Sequence, residues 1–181
     1  MRLKLAACLM LASIPVLSAP IDGAQSRIGF TLKQMNVPMQ GQFKRISGDV
    51  TLSAAAPQQG KADLTIQIAG ISLPTPDATA QTQGQDWFDA AHYPTARFVT
   101  TSIKPLGGNR FQFNGKLTIK GTTRAVSAPF TLAHNGTRSS VDGTLPVSRL
   151  AFKVGEGDWA DTDTVADTVA IAFHIVFPSN K

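Results

Sequence analysis

A single cysteine, Cys8, stands in the whole chain, so no disulfide can form within it. Charge is scarce as well: 16% of residues are charged, against 43% hydrophobic. The Lys and Arg are scattered, with no basic helix and no basic patch interleaved with aromatics. That distribution excludes a nucleic-acid surface. The three His, at positions 92, 134 and 174, show no H-x-H or H-E-x-x-H spacing, so nothing points to zinc. No G-x-S-x-G elbow is present, and no glycine-rich phosphate loop follows a strand pattern. The sequence therefore offers no constellation for nucleophilic, metal or phosphoryl chemistry, and no cofactor is expected. The acidic stretch Glu156 to Asp163, with Asp167 beyond, lacks the central glycine and distal glutamate of a calcium loop. It reads as a solvated loop.

What the sequence does hold begins with a targeting pattern. Arg2 and Lys4 form a positive region, Leu5 to Leu17 an apolar one, and Ser18 and Ala19 a small-residue cleavage region. Residues 1–19 are expected to be a signal peptide and the protein to be periplasmic, with residues 20–181 forming one domain. The apolar run is too short to be read as a membrane span. Leu5-Ala6-Ala7-Cys8 looks like a lipobox but has no apolar region ahead of it, so lipidation is not expected. Loss of this segment would also remove the cysteine, leaving the core to hold the fold unaided even in an oxidising space.

Alternation dominates the remainder. In residues 115–132, Leu117 and Ile119 point one way and Lys116, Thr118 and Lys120 the other, the period of a strand with one dry face. Gly121-Thr122 breaks that pattern and Val126, Ala128, Phe130 and Leu132 resume it, which predicts a hairpin. Similar rows run through residues 25–33, 41–52, 61–69, 95–106, 110–120, 138–149 and 167–177. Residues 34–40 read as a turn or flap. Residues 70–94 are irregular, with Pro74 and Pro76 opposing a ladder and Ala78–Asp89 able to hold a short helix. The expected fold is all-β: eight antiparallel strands with a short helix between strands 3 and 4, arranged as a sandwich or as a barrel, of which the barrel leaves no open edge.

Four motifs carry a resemblance. G-x-L-T-I-K-G-x-T at 115–123, S-R-I-G-F-T-L-K at 26–33, G-Q-F-K-R-I-S-G-D-V at 41–50, and D-W-F-D-A-A-H-Y-P at 86–94 running on to Phe98 resemble the YceI-like family in type and order. Two departures are plain: Trp87 stands where the family more often has Phe, and Gln83-Gly84-Gln85 occupies the zone of its usual Arg-Asp pair. The resemblance implies a lipocalin-like barrel that binds a long apolar chain, such as a polyisoprenoid, a quinone tail or a fatty amide. The lipocalin G-x-W signature itself is absent.

Alternation alone does not choose between a filled and a hollow barrel. Ten Phe against one Tyr, inward rows free of charge, and Met35, Met39, Trp87, Phe88 and Tyr93 gathered in irregular stretches favour a cavity with a mouth. The inner side is expected to carry Phe30, Phe43, Leu64, Ile66, Phe98, Phe111, Phe113 and Phe173, several of them against the lipid. A bulge would give the place of Phe43 to Ile46 and Val50, or that of Phe98 to Val99 and Ile103. Two other readings stay open. A filled barrel could be an interaction module for an inner-membrane quinone or cytochrome protein, marked by an exposed apolar patch. An enzyme acting on a lipid head group would draw on Asp86, Asp89 and His92. Oligomeric state is not legible.

Overall fold

The computed structural model describes residues 19–179; the expected signal segment up to Ser18, with Cys8, lies outside the described residues. One antiparallel sheet contains all the strands. These are β1 (Ala19–Pro20), β2 (Arg27–Gln34), β3 (Val37–Phe43), β4 (Ile46–Thr51), β5 (Lys61–Gln67), β6 (Ile71–Ser72), β7 (Thr95–Gly107), β8 (Arg110–Ile119), β9 (Thr122–Asn135), β10 (Arg138–Ser148) and β11 (Thr168–Pro178). Among the described residues there is one α-helix, α1 (Pro76–Gln83), and four short 3-10 turns.

Eleven strands replace the expected eight. The additions are β1, β6 and β3. Residues 34–40 are not a flap, because Val37 to Gln40 already belong to β3, which pairs with β2 from Gln34–Val37 to Ile28–Phe43. The link between these two strands is only Met35-Asn36, both with positive φ, the two-residue turn that matches strand twist. Residues 41–52 are not one strand either. Lys44 and Arg45 interrupt the ladder, and the chain bends there.

That bend shapes the molecule. Apart from the two-residue strands, the sheet runs β4-β5-β7-β8-β9-β10-β11-β2-β3, so β3 and β4 stand at opposite ends of the order. Yet they are consecutive in the chain. The sheet must curl until its ends meet at the bend, giving a half-barrel. Backbone bonds seal the meeting point: Lys44 N–H donates to the Gly70 carbonyl at 2.9 Å and Gln67 N–H to the Arg45 carbonyl at 3.0 Å.

The hairpin expected over residues 115–132 forms, with β8 and β9 paired from Arg110–Thr131 to Ile119–Thr122, so that Thr122 already belongs to the second strand. Its turn is Lys120-Gly121, again with positive φ at both residues. Pro129 is tolerated because β10 pairs with β9 only from Phe130 onward, so its missing donor faces no partner there. In the irregular stretch, Thr75 Oγ1 accepts from Ala78 N–H at 3.2 Å and caps α1, with Pro76 in the first turn. The helix thus begins before Ala78 and ends at Gln83 rather than Asp89.

Candidate functional site

The curled sheet encloses a cavity of about 190 Å³. A single water needs roughly 10–15 Å³ by the same measure, so the space is large for a core. Every strand except β1 and β6 contributes lining side chains. Of the residues expected inside, Phe30, Phe43, Leu64, Ile66, Phe98, Phe113 and Phe173 line this cavity. Phe111 does not. It is 2% exposed and stacked on Phe130 at 5.6 Å, packed into the core near the β7–β8 turn. Alternation reports the face of a strand and not the depth along it.

The anticipated bulge is present but excludes neither choice. β7 slips register between Thr100 and Ser102, so Phe98 and Ile103 both reach the cavity, while Phe43 and Val50 both do so from the two sides of the bend. The Phe side chains form two belts. Phe88, Phe43 and Phe30 follow one another at 5.9 and 5.6 Å. Phe113 stands 5.0 Å from Phe98, 5.9 Å from Phe173 and 6.2 Å from Phe130.

One end of the cavity is closed by a polar cap that the sequence did not reveal. Arg149, at the end of β10, lines the cavity and is only 3% exposed. All five of its guanidinium N–H groups meet backbone carbonyls. Nε donates to Ala166 at 3.1 Å, Nη1 to Val154 and Gly155 at 3.0 and 2.8 Å, and Nη2 to Trp159 and Val165 at 2.7 and 2.6 Å. Burial pushes its pKa down from the ordinary guanidinium range, with Asp167 opposing. The carbonyl ring compensates for that desolvation by hydrogen bonds to the charged form. The guanidinium carbon also sits 5.8 Å above the Trp87 ring, itself 5.5 Å from Trp159. The acidic loop keeps Glu156, Asp158, Asp161 and Asp163 exposed, as expected, while the backbone around it closes on an arginine.

Lys120, in the hairpin turn, makes the second clamp. Its Nζ donates to the Gln85 and Lys153 carbonyls at 2.7 and 2.9 Å and to Glu156 Oε2 at 3.0 Å. The Asp86 carbonyl accepts from Gly155 and Glu156 N–H, both at 2.8 Å. Three segments are thus tied together: residues 84–94, the β8–β9 turn and the loop after β10. Trp87, Phe152 and Val154 present this cap to the cavity. Trp87 Nε1 is buried without a hydrogen-bond partner. Towards the other end, exposed Lys61 borders the lining. The inward rows are therefore not free of charge: Arg149 and Lys61 both touch the space.

The supposed mouth divides. Trp87 and Phe88 line the cavity, but Met35, Met39 and Tyr93 do not, and Met35 is 75% exposed at the β2–β3 turn. The histidines stand apart from the cavity. His92 Nδ1 lies 2.8 Å from Asp89, His134 Nδ1 2.8 Å from Ser139 Oγ, and His174 Nδ1 2.6 Å from Asp142. Asp86, Asp89 and His92 are absent from the lining. Among the described residues no group of His, Cys, Asp or Glu is arranged to hold a metal ion.

Comparison with known proteins agrees with this architecture. A UPF0312 protein of Photorhabdus laumondii is 29% identical over 107 residues, 59% of this chain and 55% of that protein. The chain thus spans little more than half of that relative's length. A UPF0312 protein of Pseudomonas fluorescens is 26% identical over 143 residues, covering 72% of each chain. The crystal structure of Burkholderia cenocepacia BcnA superposes with a TM-score of 0.84 at 47% identity, covering 86% of this chain and 98% of that one. A polyisoprenoid-binding domain of Saccharophagus degradans shares the fold at a TM-score of 0.72 and 15% identity, over 91% of this chain and all of its own. The YceI-like domain model matches residues 20–177, nearly the whole of the sheet, and the chain belongs to that family.

Proposed function

We propose that this protein is a periplasmic carrier that holds a long apolar chain, a polyisoprenoid, a quinone tail or a fatty amide, inside its half-barrel. One observation carries the reading: a cavity walled almost entirely by aliphatic and Phe side chains from nearly every strand. Water inside such walls lacks partners, so its exchange for hydrocarbon is favourable, at roughly 0.8 kcal/mol per buried methylene. The S. degradans relative, described as polyisoprenoid-binding, supports the ligand class. The charged, apolar and small-residue regions of residues 1–19 support export.

The reading is of binding without turnover. Asp86, Asp89 and His92 stand outside the cavity lining, so single substitutions there are expected to leave ligand binding intact. Mass spectrometry of organic extracts from the purified protein tests the proposal. A copurifying long-chain lipid is the expected result. An extract without lipid, together with no uptake of added geranylgeraniol, would remove the carrier reading.

A further inference from the structure

On three sides of the cavity a Phe ring lies directly over a cross-strand glycine. Phe30 is paired with Gly41, and a Cβ built on Gly41 would overlap the tip of the Phe30 ring. Phe173 is paired with Gly143, and its ring occupies the space of a Gly143 Cβ. Phe98 reaches diagonally to Gly115, whose Cβ would stand 2.5 and 2.7 Å from two of its ring carbons. These three pairs belong to β2–β3, β10–β11 and β7–β8. All three Phe line the cavity.

Strand side chains ordinarily stand away from the sheet. A Phe in that posture projects its ring into the lumen. A glycine opposite removes the neighbouring side chain and lets the ring fold down against the wall. None of these glycines has the positive φ that would itself require glycine. Their role is the close approach of the ring.

We infer that Gly41, Gly115 and Gly143 set the cross-section of the lumen, and so determine the width of chain that the protein admits. The inference rests on the carrier reading above and adds the residues that select among its ligands. A methyl-branched polyprenyl chain is wider than a straight acyl chain of equal length. Rings held flat leave room for the branches. Rings lifted by a methyl group at the glycine positions would leave room for a straight chain only.

Gly41 is the cleanest test, because its three nearest atoms are all ring atoms of Phe30. At Gly115 and Gly143 a backbone carbonyl also crowds the site, so a methyl there would move the wall as well as the ring. The experiment compares geranylgeraniol with hexadecan-1-ol, which share main-chain length and hydroxyl head and differ in branching and unsaturation. Gly41→Ala should weaken geranylgeraniol binding about tenfold, the effect of roughly two unburied methylenes, and hexadecan-1-ol binding much less. Adding Phe30→Leu to Gly41→Ala should restore the branched ligand. Phe30→Leu alone should raise the ratio of branched to straight affinity, which keeps the test decisive if Gly41→Ala does not fold. An unchanged ratio in both single variants overturns the inference, as does equal loss of both ligands without restoration. Failure of the parent protein to bind either alcohol would overturn the carrier reading first, and this inference with it.

Discussion

The cap and the wall of the cavity obey opposite rules. At the cap, Arg149 and Lys120 have donors matched one by one to named acceptors. Along the lumen, Phe and aliphatic side chains meet one another, the glycine wall and empty space. Hydrogen bonds are directional, and an unmatched buried group is costly, so the cap has essentially one arrangement. Hydrophobic contact is non-directional, so the lumen can accept a chain in many registers. On the carrier reading proposed above, such a division suits a flexible cargo: geometry is held where the chain would not go and left permissive where it would.

Breaking the cap should have the largest effect. Arg149→Met keeps most of the side-chain volume and strands five carbonyls without donors. The expected loss is roughly 3–5 kcal/mol, a fall in Tm of about 10 °C for a domain of this size. Arg149→Lys should not rescue it, because an ammonium has three donors and no planar fork. Thermal unfolding followed by circular dichroism measures both. A Tm within about 2 °C of the parent would mean that the loop after β10 folds without its central cation.

Filling the lumen should do the reverse. Phe113→Trp adds volume at a ring that lies beside Phe98, Phe173 and Phe130 and lines the cavity. Growth toward the cavity should cost less than about 1.5 kcal/mol, while uptake of a long-chain lipid falls tenfold or more. If the variant instead loses about 3 kcal/mol and still takes up lipid, Phe113 belongs to the packed core and not to the ligand's path.

How these two regions announced themselves in the sequence also differs. The side chains of the wall were legible because each inward row alternates, as with Ile28, Phe30 and Leu32, or Val169, Ile171, Phe173 and Ile175, although alternation did not say that the wall encloses a space. Phe111 lies on the inner face as expected but away from the cavity, a difference of depth that periodicity does not encode. β3 escaped notice because its side chains are exposed or only half-buried, and Pro38 and Gly41 weaken any strand pattern. The cap was not legible at all. Arg149 is one arginine among scattered cations, and its acceptors are carbonyls, which every residue possesses. Only the long-range fold of residues 150–167 gathers them. A polar network built from backbone leaves almost no trace in composition, whereas an apolar wall is written residue by residue.

Acid gives the finest separation of cap from wall. On the outer surface of the wall, Arg97 grips Asp63 through Nε and Nη2 at 2.9 and 2.5 Å and holds its carboxyl below the usual carboxylate range. In the cap loop, Asp161 is held low in another way. It accepts from Asp163 N–H at 3.0 Å and from Thr164 Oγ1 at 2.8 Å. For both, the folded pKa lies below the unfolded one. Their stabilisation is therefore complete above the unfolded value of about 4 and is lost as the pH falls through the lowered folded values. Both sites are exposed, so each effect is small. Salt tells them apart. The Asp63–Arg97 attraction is between two solvent-facing charges and is screened, whereas the bonds to Asp161 come from neutral donors and are screened far less. Denaturation midpoints between pH 2 and 6, at low and high salt, should show that Asp63→Asn removes the salt-sensitive part of the acid transition. Asp161→Asn should remove a part that salt leaves in place. Equal salt sensitivity in the two variants would mean that the cap loop is held by charge after all, and that its contrast with the wall is one of location rather than of kind.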